Sequence, residues 1–155
     1  MSNKIISLNK DQILEYQQNK DPYLFVDKVT ELLPGKFANG YKQLKEDEWF
    51  FKVHWKGNPN MPGMLQIESL VQLCALTILG YEKNKGKIVY LSTVNNAKFY
   101  QKIVPGDLMQ MKTELLKYNR GIGNCIGKAY VKEKLVCKAE FNIVFPDDMT
   151  YLHKS

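Results

Sequence analysis

One apolar run near the middle of the chain limits the possible folds more than any other feature. Residues Met64 to Leu79 are almost continuously hydrophobic, a run too long for a strand, and Pro62 and Gly80 flank it. Because proline favours the start of a helix and glycine favours its end, the sequence predicts a buried helix from about Pro62 to Gly80. Such a helix needs other elements packed around it.

Extended stretches surround this helix in the sequence. They are Tyr23–Glu31 and Lys36–Leu44 before it, and Ile88–Asn95, Asp107–Tyr118, Asn124–Lys132 and Lys134–Phe145 after it. The last alternates apolar and mostly polar side chains, which is typical of a strand with one buried face. Residues 10–20 predict a short helix with Asp11 as its cap. Two short turns, at residues 119–121 and 132–134, predict hairpins.

One strand carries small side chains on one face. These are Cys125, Gly127, Ala129 and Val131, and they leave room for a bulky secondary-structure element to lie close to the sheet. The long helix is the natural candidate. The fold class predicted is therefore α+β, with a curved antiparallel sheet wrapped around a long central helix, in one domain over residues 1–155.

Composition excludes several classes of protein. The chain is 45% hydrophobic and carries no apolar stretch that predicts a signal peptide or a transmembrane helix, so we expect a soluble, cytoplasmic protein with no membrane partner. The net charge is +6, but Arg120 is the one arginine among 22 basic residues. The lysines are scattered, so we expect no nucleic-acid partner and prefer an acidic protein partner.

Cysteine and histidine spacing predicts no metal site. Cys74, Cys125 and Cys137 lie in apolar or alternating stretches with no C-x-x-C pattern, and the chain has two histidines. We therefore interpret the cysteines as small core residues in a reducing compartment. No glycine pattern predicts a nucleotide loop, so no cofactor is expected.

The polar residues of the long helix fall on two stripes. Glu68 and Gln72 are four residues apart and share one stripe, which we expect to face the interior or a subunit interface. Gln66, Ser69 and Thr77 lie on roughly the opposite side, and if the helix has one solvent-exposed face, we expect these three to supply it. Burial would raise the pKa of the Glu68 carboxyl, so this residue is a candidate for a functional acid.

The loop that leads into this helix has a histidine before it and a glutamate after it. His54 comes before the turn-forming residues 57–63, and Glu68 follows them by a turn and a half of helix. This layout suits the movement of protons on a substrate carbonyl. The free N–H groups at Gly63 could bind a developing oxyanion; alternatively, Pro62 starts the helix and Gly63 relieves crowding.

The string FFKVHWKGNPNMPGMLQIESLVQ resembles the signature of FabZ-type 3-hydroxyacyl-[acyl-carrier-protein] dehydratases, roughly G-H-F-x-G-x-P-x-x-P-G-x-L-x-x-E-A-x-x-Q. The positions that match are His54, Gly57, Pro59, Pro62, Gly63, Leu65, Glu68 and Gln72. The resemblance extends over nearly the whole chain, through PYLFVDKVTELLPGK near its start and AKFYQKIVPGDLM later on.

This resemblance implies a hot-dog fold and a dehydratase that assembles as a homodimer or a trimer of dimers. It implies that His54 takes the α-proton of a 3-hydroxyacyl thioester and that Glu68 of the partner subunit protonates the departing hydroxyl. The Gly63 N–H would hold the thioester carbonyl, and Gln72 would orient Glu68. The partner implied is an acyl carrier protein with a phosphopantetheine-linked acyl chain.

The chain departs from the signature around the histidine. Val53 stands where the family usually has glycine, Trp55 replaces phenylalanine and Lys56 replaces a common proline. These changes leave the acid and base in place and favour a specialised acyl or polyketide pathway as an alternative to housekeeping fatty-acid synthesis. Two other functions stay open from the sequence: a hot-dog thioesterase or enoyl isomerase, and a non-catalytic homologue that binds acyl carriers.

Overall fold

A computed structural model describes residues 3–153, with side chains through residue 149. The helices are α1 (Lys10–Tyr16), α2 (Trp49–Val53) and α3 (Gly63–Leu79), with short 3-10 segments at Glu82–Asn84 and Pro146–His153. The strands are β1 (Ile6–Leu8), β2 (Lys28–Leu33), β3 (Phe37–Gln43), β4 (Tyr90–Phe99), β5 (Leu108–Asn119), β6 (Ile122–Val131) and β7 (Lys134–Val144).

The seven strands form one antiparallel sheet in the order β1-β2-β3-β5-β6-β7-β4. Helix α3 packs against β2, β3, β5, β6 and β7, so most of the sheet curves around it. From Ser69 to Leu79 every residue of α3 is buried. The predicted α+β arrangement, a curved antiparallel sheet around a central helix, is confirmed, and so is the hot-dog fold that the resemblance implies.

The small side chains on one face of β6 explain why α3 lies so close to the sheet. A Cβ built on Gly127 of β6 would come within 3.0 Å of the Leu70 side chain of α3. Cys125 and Ala129, two positions to either side of Gly127, are also buried. The three cysteines are free and buried, as predicted. Helix and sheet are therefore in direct contact along a strand face that has almost no side chain of its own.

Both predicted hairpins are confirmed. The turn between β5 and β6 has Arg120 and Gly121 at φ of 48° and 83°, and the turn between β6 and β7 has Lys132 and Glu133 at 49° and 66°. Two consecutive residues in the left-handed region are the signature of the type I′ turn, whose twist matches that of the flanking strands. The second turn achieves this geometry without glycine or asparagine.

Two local predictions near the N-terminus are wrong. The cap of α1 is Asn9, not Asp11: its side chain accepts the Gln12 N–H at 2.9 Å, and the Gln12 side chain accepts the Asn9 N–H at 2.8 Å. This reciprocal pair is a capping box, which an N-x-x-Q spacing permits. The helix also ends at Tyr16, not at residue 20.

The first predicted strand begins late. Residues Tyr23 to Asp27 precede β2 and do not belong to it, although their side chains are β-prone. The reason is tertiary: the backbone N–H of Phe25 and the backbone carbonyl of Tyr23 bond to the Gln72 side chain of α3. Groups used in that way are not free to join a ladder with a neighbouring strand.

Candidate active site

His54 lies directly after helix α2, at the start of the loop that leads to α3. Phe50 and Phe51 of this helix are buried in the core, and the Glu48 carboxylate beside its first residue lies 3.2 Å from the buried Lys42 ammonium. Lys42 is also within 3.6 Å of the Asp27 carboxylate, so the cation is paired on both sides. His54 is the residue that caps the C-terminus of α2, and its N–H donates to the Phe50 carbonyl at 2.9 Å.

Backbone hydrogen bonds within the loop after His54 hold it closed. The Asn58 N–H donates to the Trp55 carbonyl at 3.0 Å, and the Asn60 N–H donates to the His54 carbonyl at 2.9 Å. Gly57 at the tip has φ of 79°, and a Cβ there would meet nothing within 4 Å. Glycine is therefore needed at this position for its conformation and not for space.

The imidazole of His54 has a defined tautomer. Its Nδ1 lies 3.0 Å from the Asn60 carbonyl oxygen, which can only accept a hydrogen bond. The neutral ring therefore carries its proton on Nδ1 and keeps a lone pair on Nε2. The Trp55 indole lies against the ring, tilted by 32°, with 4.0 Å between centroids. His54 is thus half-buried, fixed in orientation and able to accept a proton at Nε2.

Helix α3 begins at Gly63, directly after Pro62. The Gly63 N–H has no acceptor among residues 3–149, as expected for the first turn of a helix. A Cβ built on Gly63 would lie 3.0 Å from the Phe99 ring, so the position also needs glycine because the ring is close. Both interpretations made from the sequence therefore have structural support: crowding is relieved, and a free donor remains.

Glu68 and Gln72 are brought together. The Gln72 Nε2 donates to Glu68 Oε1 at 3.0 Å and to the Tyr23 carbonyl at 2.8 Å, while Gln72 Oε1 accepts the Phe25 N–H at 2.8 Å. All three bonds fix the orientation of the buried amide. The backbone partners at Tyr23 and Phe25 were not predicted, because nothing in their side chains indicates that their backbone groups leave the ladder.

The environment of Glu68 favours its neutral form. Burial raises the pKa of the carboxyl above its ordinary value, although the hydrogen bond from Gln72 partly opposes this. The Glu68 charge in turn contributes to a raised pKa of the Tyr23 phenol, after the larger effect of burial. Glu68 is half-buried, so it keeps one side open to whatever lies against it.

One prediction about the helix is wrong. Gln66, Ser69 and Thr77 do not form a wet face: they are 3%, 0% and 0% exposed. The hydroxyls donate to carbonyls of their own helix, Ser69 to Leu65 at 3.0 Å and Thr77 to Cys74 at 2.7 Å, and so need no water. The sheet covers this side of α3, leaving its first turn and the Glu68 stripe as the more accessible parts.

A cavity of about 350 Å³ lies beside the start of α3. Its lining is Asn60, Met61, Gly63, Gln66, Phe99, Tyr100, Gln101 and Lys102. Neither His54 nor Glu68 belongs to this lining, and they form no hydrogen bond or ion pair with each other within the described chain. The single chain thus joins His54 to the loop and Glu68 to Gln72, but does not link these two side chains to each other.

Residues 3–149 contain no group of three His, Cys, Asp or Glu side chains arranged to hold a metal ion. Over the same part of the chain, no helix is long and apolar enough to cross a membrane.

Comparison with known proteins assigns the family. The model of the FabA-like domain matches residues 18–140. The 3-hydroxyacyl-[acyl-carrier-protein] dehydratase FabZ of Alkaliphilus metalliredigens is 40% identical over 144 residues, which cover 92% of this chain and 98% of the relative. The chain belongs to the FabZ dehydratase family. The FabZ protein of Clostridium novyi is 41% identical over 140 residues, with 89% and 99% covered.

Solved structures agree on the fold of this FabZ family member. The dehydratase heterocomplex ApeI:P from Xenorhabdus doucetiae aligns with a TM-score of 0.74 at 14% identity, covering 92% of this chain and 97% of that one. The uncharacterized protein PH1136 from Pyrococcus horikoshii aligns with a TM-score of 0.63 at 17% identity, covering 84% and 90%. At these identities the likeness shows the shared fold.

The departures from the FabZ signature lie on the surface, at the end of α2 and in the loop that follows. Val53 and Trp55 are 69% and 54% exposed, and Lys56 is exposed as well. None of them replaces an atom in the bond between His54 Nδ1 and the Asn60 carbonyl, since that bond uses the ring and the backbone. The unusual side chains therefore surround His54 without taking part in the hydrogen bond that orients its ring.

Proposed function

We propose that this FabZ family member removes water from 3-hydroxyacyl thioesters on an acyl carrier protein and forms trans-2-enoyl thioesters in fatty-acid biosynthesis. The observation that carries this function is about 40% identity to FabZ dehydratases over about nine-tenths of the chain. The free Nε2 of His54 and the half-buried carboxyl of Glu68 supply the base and the acid that the reaction requires.

The proposed step combines two proton transfers with the loss of the hydroxyl from the β-carbon. His54 Nε2 takes the proton from the α-carbon of the substrate, and the Gly63 N–H stabilises the charge that develops on the thioester oxygen. The bond between the β-carbon and its hydroxyl breaks while Glu68 gives that oxygen a proton, so that water leaves. A proton passed from His54 to Glu68 restores the starting state. The step balances without a metal or a redox cofactor.

The raised pKa of Glu68 supports its role as the acid. A carboxyl that donates a proton must hold it at working pH, and burial shifts the residue in that direction. Gln72 orients the group by binding Oε1, which leaves Oε2 to carry the proton. Gln72 is itself held by two backbone groups, so the carboxyl lies on a rigid support.

We further propose that the active protein is a homodimer or a trimer of dimers and that each site is shared between two chains. Strand β4 supports this proposal because it is an edge strand of ten residues with mostly exposed side chains, a template for pairing with a second strand. Exposed apolar residues occur on β4 and near the site, including Tyr90, Phe99, Val53, Trp55 and Met64. A second copy would cover them and bring its own Glu68 toward His54.

The partner in the reaction is an acyl carrier protein, which the resemblance implies is acidic. The chain has a net charge of +6, and Lys52, Lys56, Lys98 and Lys102 are exposed near the loop and the cavity. Individual exposed ion pairs contribute little, so we expect weak docking by several lysines together.

Replacing Lys52 and Lys98 by Glu should raise KM for a carrier-bound substrate and leave turnover of a small thioester unchanged. Equal effects on both substrates would show that these lysines do not bind the carrier.

Two further properties belong to the proposal. We propose that residues 1–155 form a single domain, which one sheet and one continuous core support. We also propose a cytoplasmic location, supported by three free, buried cysteines, which suit a reducing compartment.

The direct test is to incubate the pure protein with 3-hydroxyacyl and trans-2-enoyl thioesters and to follow their interconversion by mass. We expect turnover in both directions, and we expect His54→Ala and Glu68→Ala to lose roughly 10²- to 10⁴-fold in rate while remaining folded by circular dichroism. Release of free acid without an enoyl product would instead indicate a thioesterase. No turnover by wild type, or near-wild-type rates in both variants, would overturn the assignment.

A further inference from the structure

Gln66 of α3 is a buried side chain with an incomplete set of hydrogen bonds. It is 3% exposed, and its Oε1 is the buried side-chain polar atom that has no hydrogen-bond partner within residues 3–149. A buried acceptor left without a donor is costly, and an apolar side chain of equal length would avoid that cost. The hydrogen bond made by the Nε2 atom of the same amide shows what Gln66 does.

The Nε2 of Gln66 donates to the Met61 carbonyl at 3.0 Å. This bond fixes which end of the amide is which, because the reverse orientation would bring two oxygens together with no proton between them. Met61 lies in the segment between the His54 loop and the first residue of α3. Gln66 therefore reaches back from inside the helix and holds the chain just before it.

The peptide that joins Asn60 to Met61 is held by two hydrogen bonds, one at its carbonyl and one at its N–H. The Asn60 carbonyl accepts the proton of His54 Nδ1 at 3.0 Å, and the Met61 N–H donates to the Ile103 carbonyl at 2.8 Å. The next carbonyl, that of Met61, is the one bound by Gln66. A rotation of this peptide would break both backbone contacts and turn the Asn60 oxygen away from the imidazole.

We propose that Gln66 is a positioning residue for the reaction: it holds the Met61 carbonyl, this keeps the neighbouring Asn60–Met61 peptide in place, and that peptide fixes His54 with its proton on Nδ1 and its lone pair on Nε2. The role rests on the proposed function, because it matters for the reaction only if His54 is the base. Gln66 itself touches no reacting atom. Its unpartnered Oε1 is the stability cost of having an amide donor at this place.

The test is substitution of Gln66 by an apolar side chain of similar length. Gln66→Met keeps the volume, removes the unpartnered oxygen and removes the donor to Met61, so the stability effects oppose each other and Tm should move little. Gln66→Leu is made alongside it, so that the packing of one side chain does not decide the result. The control is Gln110→Met, the same change at an exposed position of β5.

The decisive measurement is the tautomer of His54, read from the nitrogen-15 shifts of its ring at a pH where the ring is neutral. Wild type and Gln110→Met should show mainly the Nδ1–H form, whereas both Gln66 variants should gain the Nε2–H form. Their kcat should fall on the order of 10- to 100-fold, with KM within about twofold, because the base is misplaced and binding is not. The backbone amides of Asn60 and Met61 should also exchange with solvent faster.

The outcomes separate this role from the function itself. If wild type does not interconvert the thioesters, the proposed function fails, while the tautomer comparison still decides whether Gln66 orients His54. If wild type is active and both Gln66 variants keep its tautomer and its kcat, the positioning role is overturned. A loss of kcat with an unchanged tautomer and unchanged amide exchange would overturn it as well, since Gln66 would then act by another route.

Discussion

Helix α3 carries two polar stripes that have opposite relations to the rest of the protein. On one stripe, Glu68 and Gln72 bond to each other and to backbone groups of the segment before β2. On the other, the hydroxyls of Ser69 and Thr77 bond to carbonyls of α3 itself. The first stripe connects the helix to its surroundings, and these two hydroxyls are bonded within the helix. Gln66, which lies on the same side as Ser69 and Thr77, is the exception, because it donates to the Met61 carbonyl before α3.

The difference teaches that burial alone does not identify the working side of this helix. Ser69 and Thr77 are more deeply buried than Glu68, yet each donates its hydroxyl proton to a carbonyl of α3. Glu68 keeps an oxygen that no described residue binds, on a side chain whose neutral form is favoured. The useful distinction is whether a polar group retains capacity to bond outside its own helix.

The largest expected effect that separates the two stripes is on turnover. Glu68→Gln keeps an oxygen for the Gln72 bond but cannot donate a proton to a leaving hydroxyl, so we expect dehydration to slow by about 10²- to 10⁴-fold. Ser69→Ala, one residue along, should stay within about twofold of wild type because its hydroxyl is occupied by the Leu65 carbonyl. Steady-state rates on one 3-hydroxyacyl thioester measure both. Similar losses in the two variants would remove the distinction between the stripes.

The next effect is on stability. Gln72→Leu leaves the Phe25 N–H and the Tyr23 carbonyl without their partner, and each such group costs about 1–3 kcal/mol, so the free energy of unfolding should fall by about 2–6 kcal/mol. Thr77→Val, its control on the other stripe, should cost less than about 1.5 kcal/mol. Urea unfolding with equal m-values gives both numbers. A larger loss for Thr77→Val would contradict the account.

A smaller effect concerns pH. Because burial raises the pKa of Glu68 above its ordinary value of 4.5, the folded chain holds this proton more tightly than the unfolded chain does. Stability contributed by the neutral carboxyl is therefore present at low pH and lost as pH rises from about 4.5 through the folded pKa. Glu68→Gln has no such proton, so its Tm relative to wild type should increase from about pH 4 to about pH 7. Thermal scans across this range check it; a constant or decreasing difference would mean that the pKa is not raised.

The smallest expected effect is on the stability of Ser69→Ala. The loss of a bond to a helix carbonyl is offset by the higher helix propensity of alanine, so we expect a change within about 1 kcal/mol in either direction. Urea unfolding beside wild type measures it. A cost well above this would show that the Ser69 hydroxyl bonds to something beyond its own helix.

The sequence predicts the elements whose signal is local and periodic. The flanking Pro62 and Gly80 predict α3 almost to the residue, and the alternation in β7 and the small face of β6 predict the helix-on-sheet contact. These features depend on side chains that are neighbours along one element. The resemblance to the FabZ signature adds candidate roles for His54, Gly63, Glu68 and Gln72, which remain a proposal.

What the sequence does not predict depends on partners distant along the chain. The residues from Tyr23 to Asp27 are β-prone, but Gln72, 47 residues beyond Phe25, takes their backbone groups out of the ladder. Gln66 was expected to be wet, because a helical period places polar residues on faces and does not show which face the sheet covers.

The central claim is that the Glu68 stripe of one chain works with His54 of a second copy. The most direct test is to mix the inactive His54→Ala and Glu68→Ala proteins under conditions that exchange subunits and to measure dehydration. If the site is shared, each mixed dimer regains one intact site of two, and an equal mixture should recover about a quarter of wild-type activity. If subunits exchange and no activity returns, the acid and base belong to one chain and the account is contradicted.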